Sequence, residues 1–249
     1  MILTRTEKKF LYLTIGVAIL FALPTQAFAM HIMEGYLPIG FCIMWGAICL
    51  PFLVWGIIRL RRIAKESRRA LVLLAMAGAF IFVVSSLKVP SVTGSCSHMT
   101  GTGLSTILFG VGPTCILGII VLIFQAILLA HGGLTTLGAN TFSMAIGGPI
   151  LTFLLFKLGK KLKLNLKVNV FIAAFLGDLF TYCITAFQLA LAYPSNGSVA
   201  ASVIKFLGVY APTQLPLAIV EGFLTVLIVM GLQSFASREL TATSLVEAK

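Results

Sequence analysis

The chain has 249 residues, 59% of them apolar and 10% charged, with a formal net charge of +11. About a quarter of residues are charged in a soluble globule, so this composition, with a mean hydropathy of +1.07, excludes that class. The positive charge is not a nucleic-acid surface either: it sits in two tight blocks between apolar runs, as cytoplasmic loops of membrane proteins do.

Residues 1–29 begin basic (Arg5, Lys8, Lys9), run apolar from Phe10 to Leu23, and close on Pro24 and the triplet Ala27-Phe28-Ala29. That order is the signature of a secretory signal peptide, with cleavage expected after Ala29. The mature chain, 30–249, then starts Met30-His31. A free α-amine, the His31 backbone nitrogen and its imidazole can all turn toward one divalent metal.

Apolar runs of roughly twenty residues follow, long enough to cross a bilayer core of about 30 Å. They are continuous rather than alternating, so they are helices and not barrel strands. The predicted spans are Pro38–Ile58, Ala70–Leu87, Thr114–Ala130, Thr141–Phe156, Val168–Ala192 and Leu215–Leu232. One basic block, Arg59 to Arg69, follows the first span, and another, Lys157 to Lys167, follows the fourth. The positive-inside rule makes both blocks and Arg238 cytoplasmic, and makes Met30, Lys88–Thr102 and Tyr193–Gln214 external. From His98 outside to Lys157 inside the chain must cross an odd number of times, yet only two obvious spans lie between. Gly103–Val111, closed by Gly112-Pro113, supplies the third crossing. It is too short for a lipid-facing span and is expected to be buried in protein or to line a cavity. The expected architecture is therefore an all-α membrane protein of about seven transmembrane helices, one short and internal.

The 5 cysteines are an odd number, and Cys42, Cys49, Cys115 and Cys183 fall within spans, where they read as small buried hydrophobes. Asp178, the sole aspartate, sits mid-span and is expected to hydrogen-bond within the bundle, to Thr181, Gln188 or another span. The 3 histidines, His31, His98 and His131, all fall on the external side. Any one alone reads as a packed or interfacial histidine. Three on one face, one beside a generated N-terminus, point to a metal site; imidazole suits transition metals. Glu34, Asn140 and Glu221 are the polar groups available to orient the rings.

Longer motifs carry a resemblance. His31-Ile32-Met33-Glu34-Gly35-Tyr36-Leu37-Pro38 resembles the mature start of the cobalt and nickel substrate-binding components of energy-coupling-factor (ECF) transporters. Ser91 to Leu104, Ala130 to Asn140 and Ala211 to Gly222 resemble the cobalt branch of that family, with Met99 standing where the pattern often has proline. The resemblance implies a substrate-capture subunit in the plasma membrane, N-terminus external and C-terminus cytoplasmic. It also implies three partners: a transmembrane coupling subunit, an ABC-type ATPase and a small two-helix accessory membrane protein. The cargo implied is Co²⁺ for cobalamin synthesis, with no resident cofactor. Carried over by position, the ligands are Met30, His31 and His98, with His131 a neighbour or second-sphere group. No G-x-x-x-x-G-K-[ST] phosphate loop occurs, so ATP hydrolysis falls to a partner and the chain is not read as an enzyme. A nickel-specific component is the alternative function, and an integral membrane metalloenzyme a more remote one.

Overall fold

The computed structural model describes residues 28–29, 31–66, 68–90, 95–195 and 197–236. Met30 and residues 1–27 of the expected signal peptide lie outside these, as does Arg238. Helices dominate. They are α1 (Ile39–Glu66), α2 (Arg68–Ser86), α3 (Thr102–Phe109), α4 (Val111–Leu129), α5 (Leu137–Lys161), α6 (Leu166–Ala192) and α7 (Val199–Phe235). Among the described residues, six of these are long and apolar enough to cross a membrane.

The exception is α3, the short internal helix. Its 8 residues extend only about 12 Å at 1.5 Å each, and all of them are buried. Gly110 alone joins it to α4, with a left-handed φ of 83° that favours glycine. α4 is the central helix, with 61% of its apolar window inside the protein, whereas α1 buries only 17% and presents the rest outward. The main core cluster joins α2, α3 and α4 through Leu74, Ile81, Ile107, Leu108 and Leu122, with Phe156 of α5 beneath.

Several helix boundaries differ from the hydropathy reading. α1 continues past Ile58 through Arg59, Arg61, Arg62 and Lys65, so most of the first basic block is helical rather than a loop. α6 starts at Leu166 because the Asn165 side chain accepts a hydrogen bond from the Lys167 N–H at 3.0 Å. The last helix departs most. It starts at Val199, capped by Ser198, and runs through Pro212 and Pro216, so much of the segment read as an external loop is helix. Proline removes one backbone donor and signals a helix end; here packing against α6 carries the helix through both.

Cys183 is corrected as well: it is exposed on the outer surface of α6, and Cys42 is only partly buried. Cys49 and Cys115 are buried as expected.

Two further features place the site. Three short strands, β1 (Phe28–Ala29), β2 (Val89–Pro90) and β3 (Ser95–Ser97), form a small sheet in the order β1-β3-β2. β1 runs parallel to β3 with Phe28 opposite Ser95 and Ala29 opposite Cys96. The second feature lies within α5, where Thr141–Gly147 is a π-helix. The Gly148 N–H there donates to the Ser143 carbonyl, five residues back, and Pro149 follows with no donor of its own.

Candidate metal centre

His31 comes shortly after β1 and His98 directly after β3, and their rings meet. They stack with centroids 4.7 Å apart and planes 12° from parallel. Nδ1 of His31 lies 2.9 Å from Nε2 of His98 and 2.6 Å from Nε2 of His131. His131 arrives from the far end of α4, where Ala130 turns left-handed (φ 45°) and both Ala130 and His131 N–H groups reach the Gln125 carbonyl. All three imidazoles are buried, none more than 1% exposed. One nitrogen from each can be chosen so that all lie within 4.8 Å of one another. An ion about 2.0–2.1 Å from each imidazole nitrogen needs donors about 3–4 Å apart, so the cluster needs only to open slightly.

The loops that carry the rings are tied down by backbone-directed side chains. Asn140 and Thr136 hold the residue after His31: the Ile32 N–H donates to Asn140 Oδ1 at 2.8 Å, and its carbonyl accepts from Asn140 Nδ2 at 3.0 Å and Thr136 Oγ1 at 2.6 Å. Glu34 accepts from the Thr135 N–H at 3.2 Å, and the Gly35 N–H donates to Thr135 Oγ1 at 3.2 Å. Glu34 thus fastens the N-terminal segment to the His131 loop. Gly133 makes that approach possible, since a Cβ there would lie 2.5 Å from the Glu34 Cα.

His98 is held from α6 and α7. The Tyr182 hydroxyl donates to the His98 carbonyl at 2.7 Å and accepts from its N–H at 3.0 Å. Beyond it, Glu221 accepts from the Thr100 N–H at 2.6 Å, the Thr100 hydroxyl at 3.0 Å and the Gly101 N–H at 3.0 Å. Asp178 shares the Thr100 N–H at 3.2 Å and accepts from Gln214 Nε2. Of the partners expected for Asp178, another span supplies Gln214, while Gln188 instead donates to the Ala139 carbonyl.

Glu34, Asn140 and Glu221 therefore support the histidine loops without touching an imidazole in these hydrogen bonds. The ring partners are different. His98 Nδ1 faces the Met99 carbonyl at 2.8 Å, His31 Nε2 faces Met144 Sδ at 3.3 Å, and His131 Nδ1 has no partner among the described residues. Met144 is the site-lining residue that hydropathy and spacing did not single out, because it reaches His31 from the π-helical turn.

Electrostatics suit a cation. Burial first, then His131 and His98, hold His31 well below the ordinary value of 6.5. Burial lowers His98 to about 4 against an opposing bond to Met99, and lowers His131 to about 2 with help from His98. All three rings are thus neutral near pH 7, the form that binds metal.

A multi-helix membrane bundle with a buried histidine triad at one end defines the class: a polytopic membrane protein with three clustered imidazoles that could hold a metal ion. The sequence family is narrower. Residues 31–239 match the CbiM family model, described as a cobalt uptake substrate-specific transmembrane region, and the chain belongs to that family. It is 60% identical to the cobalt transport protein CbiM of Lachnoclostridium phytofermentans over 98% of both chains. It is 53% identical to the protein of that name from Limosilactobacillus reuteri, over 91% of this chain and 92% of the relative. A crystal structure of a truncated transition metal transporter superposes with a TM-score of 0.70 at 27% identity, covering 82% of this chain and 98% of the other. A second transition metal transporter structure aligns with the same TM-score at 28% identity, over 82% and 92% of the two chains.

Proposed function

We propose that this chain is the substrate-capture subunit of an ECF-type importer, taking up Co²⁺ at the external face of the plasma membrane. The convergence of His31 Nδ1, His98 Nε2 and His131 Nε2 in one buried cluster carries this reading. The Met30 α-amine and the His31 backbone nitrogen complete the donor set in the mature chain. His131 stands beside them, its Nε2 2.6 Å from His31 Nδ1.

CbiM membership and the naming of its relatives support cobalt as cargo. Nitrogen donors alone do not select it, since affinity rises from cobalt to nickel to copper at a given site. Selection rests on geometry, supply and the partner subunits. Energy comes from those partners, the coupling subunit and the ABC-type ATPase, with the two-helix protein as accessory. Uptake of Co²⁺ into proteoliposomes tests the assignment. Accumulation should need all transport subunits and ATP, and His31→Ala or His98→Ala should abolish it. Sustained accumulation by this chain alone would overturn it.

A further inference from the structure

His31 turns its second ring nitrogen toward sulfur rather than oxygen. Nε2 lies 3.3 Å from Met144 Sδ, and both side chains are buried. A thioether has lone pairs and no hydrogen, so this contact is a hydrogen bond only when Nε2 carries the proton. Nδ1 then keeps its lone pair: it accepts from the Nε2–H of His131 at 2.6 Å, whose own Nδ1 has no partner among the described residues, and it faces His98 Nε2 at 2.9 Å. The same logic applies to His98: its Nδ1 must hold the proton to donate to the Met99 carbonyl, which leaves the Nε2 lone pair pointing inward.

We propose that Met144 is the positioning residue that fixes the His31 tautomer, and that its thioether does so while leaving the imidazole a moderate rather than a strong donor. The inference rests on the reading of the histidine cluster as the metal site. Metal-binding histidines usually donate their other N–H to a carboxylate, carbonyl or water, which orients the ring and raises its basicity. Sulfur is a weaker acceptor. It holds the ring in one tautomer and adds little to its basicity, which suits a site that must release its ion.

The placement of Met144 depends on the π-helical turn. Asn140 at its start clamps Ile32, and Met144 within it reaches His31, so one widened turn of α5 holds two consecutive residues of the N-terminal segment. π-helical turns are rare and occur often at functional sites. The π segment ends at Gly147, followed by Gly148 and Pro149.

The test reads the tautomer directly. Full-length protein labelled with ¹⁵N-histidine, kept metal-free, is examined by two-bond ¹H–¹⁵N correlation, with His31→Ala assigning the His31 signals. Co²⁺ binding is measured on the same samples. The wild type should show His31 protonated at Nε2. Met144→Leu keeps apolar volume but removes the acceptor; it should populate the Nδ1–H form and weaken Co²⁺ binding by about 10–100-fold, the usual scale for such partners. Met144→Gln supplies an oxygen acceptor, so it should restore the Nε2–H tautomer and bind Co²⁺ at least as tightly as the wild type. An unchanged His31 tautomer in Met144→Leu, or a Met144→Gln variant that behaves like Met144→Leu, overturns the proposal. Absence of Co²⁺ binding by the wild type would instead remove the metal-site reading, while the metal-free spectra would still decide the role of Met144.

Discussion

Asn140 closes both backbone hydrogen bonds of Ile32, with its Oδ1 2.8 Å from the Ile32 nitrogen and its Nδ2 3.0 Å from the Ile32 oxygen. A side-chain amide thus mimics a neighbouring strand for the residue next to His31. This clamp does not depend on β1, so His31 keeps its place if cleavage after Ala29 removes Phe28 and Ala29.

The first prediction follows from that clamp. Asn140→Ala orphans the buried Ile32 N–H, leaves its carbonyl to Thr136 alone and loosens the His31 segment. Co²⁺ affinity should fall by about 10–100-fold, as for other outer-sphere supports. Asn140→Asp keeps the acceptor and loses the donor, and should fall between wild type and alanine. Equilibrium binding to the three purified proteins checks the order.

A second prediction concerns the carboxylates under His98. Glu221 satisfies the Thr100 and Gly101 N–H groups deep in the bundle, while Asp178 shares one of them. Glu221→Ala orphans the buried Gly101 N–H and Thr100 hydroxyl at about 1–3 kcal/mol each, and leaves the Thr100 N–H to Asp178 alone. Glu221→Gln keeps an acceptor in place and should cost less. Thermal unfolding in detergent should rank wild type above Gln and Gln above Ala, with Co²⁺ binding falling in the same order.

An odd number of crossings between His98 and Lys157 required a third segment there, and the short buried α3 lies in that stretch. Apolar runs located the long helices to within a few residues at most ends. The exceptions were α1, which runs eight residues past Ile58, and α7, which starts sixteen residues before Leu215 because packing on α6 keeps Pro212 and Pro216 within one helix. Cys183 looked buried because hydropathy does not say which helix face meets lipid. At the site, charge-based topology gathered all three histidines on one side, but not their contact distances. Met144 stayed hidden because a π-helical turn changes which residues share a face, and spacing rules assume 3.6 residues per turn.

The third prediction concerns pH. The folded histidines lie below 6.5 because burial disfavours their charged forms. Unfolded chains take up protons below 6.5 that the folded site refuses, so metal-free stability should drop as pH falls from 6.5 toward the folded value of His98, about 4. His98→Ala should flatten part of that drop. Thermal midpoints of metal-free protein between those limits provide the check, and a midpoint that rises on acidification contradicts the assignment.

Orientation gives a fourth prediction. Leu134, in the His131 loop, is exposed, and Glu66 closes α1 within the first basic block. In a Cys96→Ser background, Leu134→Cys should react with a membrane-impermeant thiol reagent in intact cells, whereas Glu66→Cys should react only after permeabilisation. The reverse pattern would place the histidine cluster at the cytoplasmic face.

The central claim is a metal site built from the histidine triad and a freed N-terminus, and Co²⁺ binding to purified protein of verified N-terminus tests it most directly. Mature protein starting at Met30 should bind Co²⁺ tightly. His31→Ala and His98→Ala should each weaken binding strongly. A form with signal cleavage blocked, and one with alanine inserted between Met30 and His31, should be weakened about as much, because both disturb the amine chelate while keeping every side chain. Binding by the uncleaved form as tight as by the mature one would remove the α-amine from the site, and unchanged binding by His31→Ala and His98→Ala would contradict the site altogether.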